Sequence, residues 1–424
     1  MKIKLEYGQK GLLIDVPEKS LLKVMKMHSA PAISTPVEEL EYLLDRPIAS
    51  ASLSELARGK KSACVVICDI TRPVPNKILL PPILKVLEKS GIPREKITIL
   101  IATGIHRPNL GGELVFLVGE EIARNYNVIN HFSKDKSQHT FLGKTRRGTD
   151  VWVNSNFIQS ELKITTGFIE PHLMAGFSGG RKLICPGISS LDTVKVMHSP
   201  QILEHPNACE GMIAGNPFHE EALEIAQMAG VDFIVNVALD DHRNITGIFA
   251  GHPEKAHAAG VEVVRKYVNE TVPEPVDVVI TTAAGFPLDL TFYQSIKGLT
   301  AALPIVKKGG TIILAAECRE GLGAAEFSQL VRETRDMEQF MKNIMQPDYF
   351  VIDQWQFEEL AKVLRKVDVI LVSEGIKPAD KSRMIPVCSD SVEAAIDTCF
   401  QKYGHDCKIV VIPKGPYILT GIEN

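Results

Sequence analysis

Residues 63–108 read ACVVICDITRPVPNKILLPPILKVLEKSGIPREKITILIATGIHRP, and the fold class follows from the order of patterns within them. Two short apolar runs, 63–68 and 97–102, lack polar alternation, which suits strands covered on both faces as in a parallel sheet. Between them residues 79–90 carry helical periodicity that stops at Gly91. Strand, helix, strand predicts a βαβ unit and with it an α/β protein. Cys64 and Cys68 lie in the first run and read as core residues of it.

The same alternation continues outward. Residues 162–166 and 233–238 are further strands, 218–228 is an amphipathic helix closed by Gly230, and 256–268 is a helix running into Thr271-Val272-Pro273-Glu274-Pro275. That proline-bracketed tract breaks helix and begins a fresh pattern, so two domains are expected, 1–272 and 273–424. In the second, 276–281, 311–315, 369–372 and 408–412 read as strands and 356–366 and 392–403 as helices, the last behind a capping signature of Asp390 with Glu393 three residues on. The expected architecture is therefore α/β with two domains, each holding a mainly parallel sheet flanked by helices. A chain of 424 residues is long enough for two such cores.

Composition narrows the function. With 47 basic against 51 acidic side chains, the net charge of -4 gives no electrostatic reason to expect nucleic acid or an anionic membrane, and points to a compact, neutral ligand. The eight cysteines show no C-x-x-C spacing and Met1-Lys2-Ile3 opens on no signal peptide, which predicts a reducing, cytoplasmic setting. No apolar run approaches the ~20 residues that span a bilayer.

In an open parallel sheet the loops leaving the carboxyl ends of the strands lie along one edge and form the ligand crevice. Residues 69–72, His106 and His172 each follow a predicted strand within a few residues, so three loops converge. The richest stretch is 165–200, TTGFIEPHLMAGFSGGRKLICPGISSLDTVKVMHSP, with two histidines, a glycine-rich turn and Arg181-Lys182. Its glycines suggest a phosphate cradle with an added lysine charge, or else a turn carrying exposed basic residues. It is not a Walker A loop, since Leu183 follows the lysine. Residues 321–326, GLGAAE, lack the third glycine of a dinucleotide fingerprint.

His106 and His172 are candidates for general acid and base, although a lone loop histidine is as readily a surface residue. His198, after a helix from Ser190, cannot hold a metal alone, and neither H-E-x-x-H nor a cysteine pair is present to complete a site. In residues 285–298 Asp289 can start a helix on which Tyr293 and Lys297 share a face at i, i+4, with Gln294 at i, i+3 to the lysine. Such a lysine suits a small carboxylate, or the helix presents a solvated face.

Taken together these residues resemble the lactate racemase family, whose enzymes use a nickel-pincer nucleotide. The elements are D-x-T-R-P at 69–73, G-x-H-R-P at 104–108, P-H-x-x-x-G-F-S-G-G-R-K at 171–182, M-H at 197–198 and Y-Q-S-x-K-G at 293–298. The resemblance implies a Ni(II)-pyridinium-3-thioamide-5-thiocarboxylic acid mononucleotide, covalently attached to Lys182, with nickel held by a ring carbon, two sulfurs and His198. Asp69, Ile70, Thr71, Arg72, Gly176, Ser178, Gly179 and Gly180 would bind that cofactor. His106 and His172 would be the acid/base pair on either side of the substrate's C2, and Tyr293, Gln294 and Lys297 would bind substrate from the second domain, placing the active site in the interdomain cleft. The implied function is inversion at C2 of a 2-hydroxy acid by hydride transfer to and from the cofactor, with cofactor-biosynthesis proteins as further partners.

Two other readings compete. A nicotinamide-dependent 2-hydroxy acid dehydrogenase is disfavoured by the absent G-x-G-x-x-G, and a binding homologue without turnover would lack nickel and the Lys182 adduct. Asn109-Leu110-Gly111-Gly112, with Val115-Phe116, departs from the family's more acidic, helix-starting pattern. That departure leaves lactate, a larger 2-hydroxy acid and a sugar acid all open as substrate.

Overall fold

The computed structural model describes residues 1–424 apart from 241, 347 and 424. Two compact units form, one of Ser29–Tyr267 and the other of Met1–His28 together with Val268–Asn424.

The unit Ser29–Tyr267 is built on a six-stranded sheet in the order Ile245–Gly251, Phe233–Leu239, Leu162–Phe168, Ala63–Cys68, Ile97–Ala102, Asn127–Asn130. All neighbours are parallel except Ile245–Gly251 beside Phe233–Leu239. The expected βαβ unit is present, with helix Asn76–Lys89 between its strands. Register runs in step from Ala63 opposite Ile97 to Cys68 opposite Ala102, so both strands end at one edge. Cys64 to Ile67 are fully buried, as continuous apolarity requires of a strand covered on both faces. Successive strands step outward from Ala63–Cys68 in one direction, and Leu162–Phe168 then adds on the opposite side. The order therefore reverses between these two strands, and their carboxyl-end loops part to open a crevice.

The other unit has six parallel strands in the order Val387–Ser389, Asp368–Val372, Val306–Ala315, Val276–Thr282, Ile409–Ile412, Leu21–Val24. The compact units divide the chain otherwise than the expected domains 1–272 and 273–424, since residues 1–28 fall with the later part of the chain. Leu21–Val24 pairs with Ile409–Ile412, and the hairpin Lys2–Leu5 with Leu12–Asp15 buries Ile3, Leu5 and Ile14 in one cluster with Val278, Ile280 and Val411. The first strands need an apolar sheet face, and one formed some 250 residues later in the chain supplies it. Nothing in their own pattern says which sheet that is. At the other boundary Asn269–Val272 pairs with Leu419–Ile422, which draws it into this unit ahead of the prolines.

Helix Val392–Tyr403 forms over the expected residues, but its cap is Ser391, whose side chain accepts from the Ala394 N–H at 3.0 Å, and not Asp390. No helix among the described residues is long and apolar enough to cross a membrane.

Candidate active site

The ends of Ala63–Cys68 and Ile97–Ala102 bring Asp69 and His106 together, with His106 Nδ1 2.7 Å from Asp69 Oδ2. The other carboxylate oxygen accepts from the Thr71 hydroxyl at 2.6 Å and its N–H at 3.3 Å. Burial pushes the Asp69 carboxyl up, but the charge and hydrogen bond of His106, with Thr71 and Arg72, outweigh it and hold the group below the ordinary aspartate value. Asp69 is thus a carboxylate and can only accept, so the shared proton sits on His106 Nδ1, and whenever the ring is neutral Nε2 is the nitrogen with the lone pair. With its side chain 37% exposed, His106 can meet a ligand. Across the crevice Arg72 Nε lies 3.3 Å from Glu170 Oε1, tying the loop after Ala63–Cys68 to the loop after Leu162–Phe168.

His172 lies in a tight hairpin in which Pro171–His172 pairs antiparallel with Gly176–Phe177. The Met174 and Ala175 N–H groups both donate to its Nδ1, at 3.2 and 3.3 Å. Its Nε2 lies 3.1 Å from Lys182 Nζ.

The glycine turn differs from the expected phosphate cradle. The N–H groups of Ser178, Gly180 and Lys182 donate to Glu170 O, Asn236 Oδ1 and Gly179 O, so those three donors are already spent on protein. What the glycines permit is close packing in the left-handed region: a Cβ at Gly176 (φ +74°) would collide with the Met212 carbonyl, and one at Gly179 (φ +78°) with the Asn236 amide. Nor is Arg181 an exposed basic residue. It is 4% exposed, donates to Ala175 O at 2.7 Å and Gly179 O at 3.4 Å, lies 2.9 Å from His257 Nε2, and is pushed down to about 9 by burial. The turn is thereby braced from below, and the short helix Gly180–Leu183 carries Lys182 into the crevice.

His198 closes helix Leu191–Met197, which Ser190 caps by accepting from the Thr193 N–H. Its Nδ1 donates to Val194 O at 2.9 Å, which leaves Nε2 as the lone-pair nitrogen, the arrangement of a metal-ligating histidine. Burial pushes the imidazole down to about 3, helped by the charge of Lys182 and opposed by the Val194 bond, so the ring is neutral. Phe218 adjoins both groups, its ring centroid 5.0 Å from that of His198 and 5.2 Å from Lys182 Nζ. Among the described residues no three His, Cys, Asp or Glu side chains are grouped to hold a metal, so an ion at His198 would need donors from a bound group.

Other buried histidines set an acid limit. Burial, with His139 for His131 and Arg181 for His219, pushes both down to about 3, and burial pushes His257 well below its ordinary value. The folded protein withholds protons that the unfolded chain binds below pH ~6.5, so stability is lost as pH falls from there toward 3. Each such histidine contributes a slope of about 1.4 kcal/mol per pH unit. Counting His198, four such rings should make urea melts lose roughly 5 kcal/mol between pH 5.5 and 4.5, and a flat profile there would show these rings protonated in the fold.

In the other unit, helix Phe292–Ala302 begins at Thr291, whose side chain accepts from the Gln294 N–H. Asp289 does not start the helix as expected. It is fully buried and accepts from the Gly8 N–H at 2.6 Å and the Glu317 N–H at 3.2 Å, a demand from the amino-terminal turn that local sequence could not show. Lys297 Nζ donates to Gln294 Oε1 at 2.6 Å, joining the expected pair. Tyr293 is held differently, its hydroxyl accepting from Trp355 Nε1 at 3.1 Å and its ring packed on Phe327; burial and then Asp353 push the phenol well above its ordinary value.

Glu170, Asn236 and His257 were not anticipated. An acid beside Pro171-His172 and a lone amide in the apolar run FIVNVAL were signals for the first two; His257 had none.

This parallel-sheet unit gathers an Asp–His pair, a second histidine beside a lysine and a buried third imidazole past its strand ends, the grouping of a candidate enzyme site. The chain matches the lactate racemase N-terminal domain over residues 7–211 and the lactate racemase C-terminal domain over 271–420. It is 34% identical over 422 residues to a lactate racemase of Thermoanaerobacterium thermosaccharolyticum, covering 99% of both chains, and 37% identical over 381 residues to one of Lactiplantibacillus plantarum, covering 89% of both. The solved lactate racemase apoprotein of T. thermosaccharolyticum superposes with a TM-score of 0.93 at 33% identity, over 99% of this chain and 100% of that one. A Thermotoga maritima protein at 18% identity, with a TM-score of 0.71 over 91% of this chain and 98% of its own, shares the fold. The chain belongs to the lactate racemase family, and it is an isomerase, a racemase.

Proposed function

We propose that this protein inverts C2 of a 2-hydroxy acid, lactate in the first instance, using a nickel-pincer nucleotide carried on Lys182. The observation that carries the reading is His198: a neutral imidazole whose Nδ1 is committed to Val194, so that Nε2 is the nitrogen suited to a metal, beside the same Phe218 ring as Lys182, and with no protein cluster to complete a metal site among the described residues. Those residues fit a group that brings its own carbon and sulfur donors and needs one imidazole and one amine. When bound, the nucleotide supplies a hydride acceptor for the hydrogen on C2.

The chain's own residues do the rest. Lys182 would hold the nucleotide covalently and His198 would bind nickel, while Asp69, Ile70, Thr71 and Arg72 border it, and Gly176, Ser178, Gly179 and Gly180 shape the turn that aims Lys182. His106, its Nδ1 proton kept by Asp69, takes the hydroxyl proton at Nε2; His172 serves the opposite face, as inversion requires. Lys297, braced by Gln294, binds the carboxylate, and Tyr293 steadies that helix. Cofactor-biosynthesis proteins would load the nucleotide, in the cytoplasm.

Racemisation of lactate in D₂O tests the chemistry. Hydrogen leaving as hydride stays out of exchange, so the product should keep protium at C2 and 2-deuterated lactate should react more slowly. Rapid deuterium uptake at C2 would leave proton abstraction as the mechanism.

A further inference from the structure

Asn109 stands where the two loops of the Asp69–His106 pair are joined. It is 1% exposed, and its side-chain Oδ1 accepts from the Ile70 N–H at 3.2 Å while Nδ2 donates to Glu113 Oε2 at 3.1 Å. The same carboxylate accepts from both terminal nitrogens of Arg107, each at 2.7 Å, and Arg107 holds it below the ordinary glutamate value. The Asn109 N–H donates to Asn130 Oδ1 at 2.8 Å, and Asn130 Nδ2 donates to Asn109 O at 3.0 Å. One buried residue thus ties together the carboxyl ends of Ala63–Cys68, Ile97–Ala102 and Asn127–Asn130, which are neighbours in the sheet.

The amide's orientation is set by its partners, since a backbone N–H demands an acceptor and a carboxylate demands a donor. Ile70 follows Asp69 and Arg107 follows His106, so each side-chain bond of Asn109 reaches, directly or through Glu113, the neighbour of one member of the pair.

We propose that Asn109 is a positioning residue that fixes the Asp69–His106 contact and so keeps the imidazole proton on Nδ1, with Nε2 open to substrate. Its part in turnover rests on the racemase reading above; its part in the tautomer does not. The Asn109→Asp side chain could still accept from Ile70 but would set a second carboxylate against Glu113, and that of Asn109→Ser is too short to span both partners.

The test reads the His106 tautomer by ¹⁵N NMR of histidine-labelled apoprotein, alongside kcat and KM of cofactor-loaded enzyme. Wild type should show Nδ1–H. Asn109→Asp should give mixed tautomers and a kcat lower by roughly 10-fold with KM within about 2-fold, as expected for a disturbed general base. Asn109→Ser, with no added charge, should also mix the tautomers and stands in if Asn109→Asp fails to fold. Unchanged Nδ1–H in both variants would overturn the proposal. Tautomers that respond as stated in an enzyme that racemises no 2-hydroxy acid would uphold the positioning role and sink the racemase reading instead.

Discussion

Lys182→Ala protein, purified from cells that load the wild type, should carry no covalent adduct in its intact mass, retain no nickel, and lose racemase activity by roughly 10³-fold or more, about 4 kcal/mol of transition-state stabilisation. The expectation rests on where the amine lies. Nζ is beside His172 Nε2 and over the Phe218 ring that also packs on His198, at the end of a turn braced by Arg181, Asn236 and His257. Lys182→Arg should fail equally, because a guanidinium keeps the charge but cannot replace a primary amine in a covalent linkage. The neighbourhood should survive both changes, since the backbone bonds of the turn run through main-chain atoms. Either variant retaining adduct, nickel and full activity would move the attachment away from Lys182.

Asp69→Asn is the second large effect, with kcat expected to fall about 10²- to 10⁴-fold and little change in nickel content. Thr71 decides it. Its hydroxyl and N–H both donate to Asp69 Oδ1, so an asparagine must keep its carbonyl there and turn its NH₂ toward His106. The imidazole would then have to accept at Nδ1, moving its proton to Nε2 and removing the base from the side that faces substrate. A structural defect would lower stability and raise KM together; a tautomer defect lowers kcat alone, and ¹⁵N NMR of His106 would show the proton moved. Activity near wild type would mean that His106 is not held as a base by Asp69.

Within Ser29–Tyr267 the sequence alone determined four of the six strands of the main sheet and the loops that follow three of them, because each is a local property; Asn127–Asn130 and Ile245–Gly251 were not read from it. Apolar runs without alternation mark strands covered on both faces, and residues just past their ends must share an edge once the strands are parallel and in register. The placement of Asp69, His106 and His172 just past strand ends was legible for that reason. Lys297 and Gln294 were legible from helical spacing, which brings them into contact without help from the rest of the fold. What only the tertiary structure decided depends on partners far away in the chain. The first 28 residues join the last part because their apolar side chains need a sheet face that forms there. Asp289 is taken by Gly8 and Glu317 before it can cap a helix, and Tyr293 by Trp355. Proton placement is likewise tertiary: whether a histidine is base, acid or metal ligand follows from which ring nitrogen is already bonded, and those bonds come from Asp69, two hairpin amides and a helix carbonyl. Residue type is written in the chain, but the tautomer is set by what folding brings within 3 Å or so of the ring.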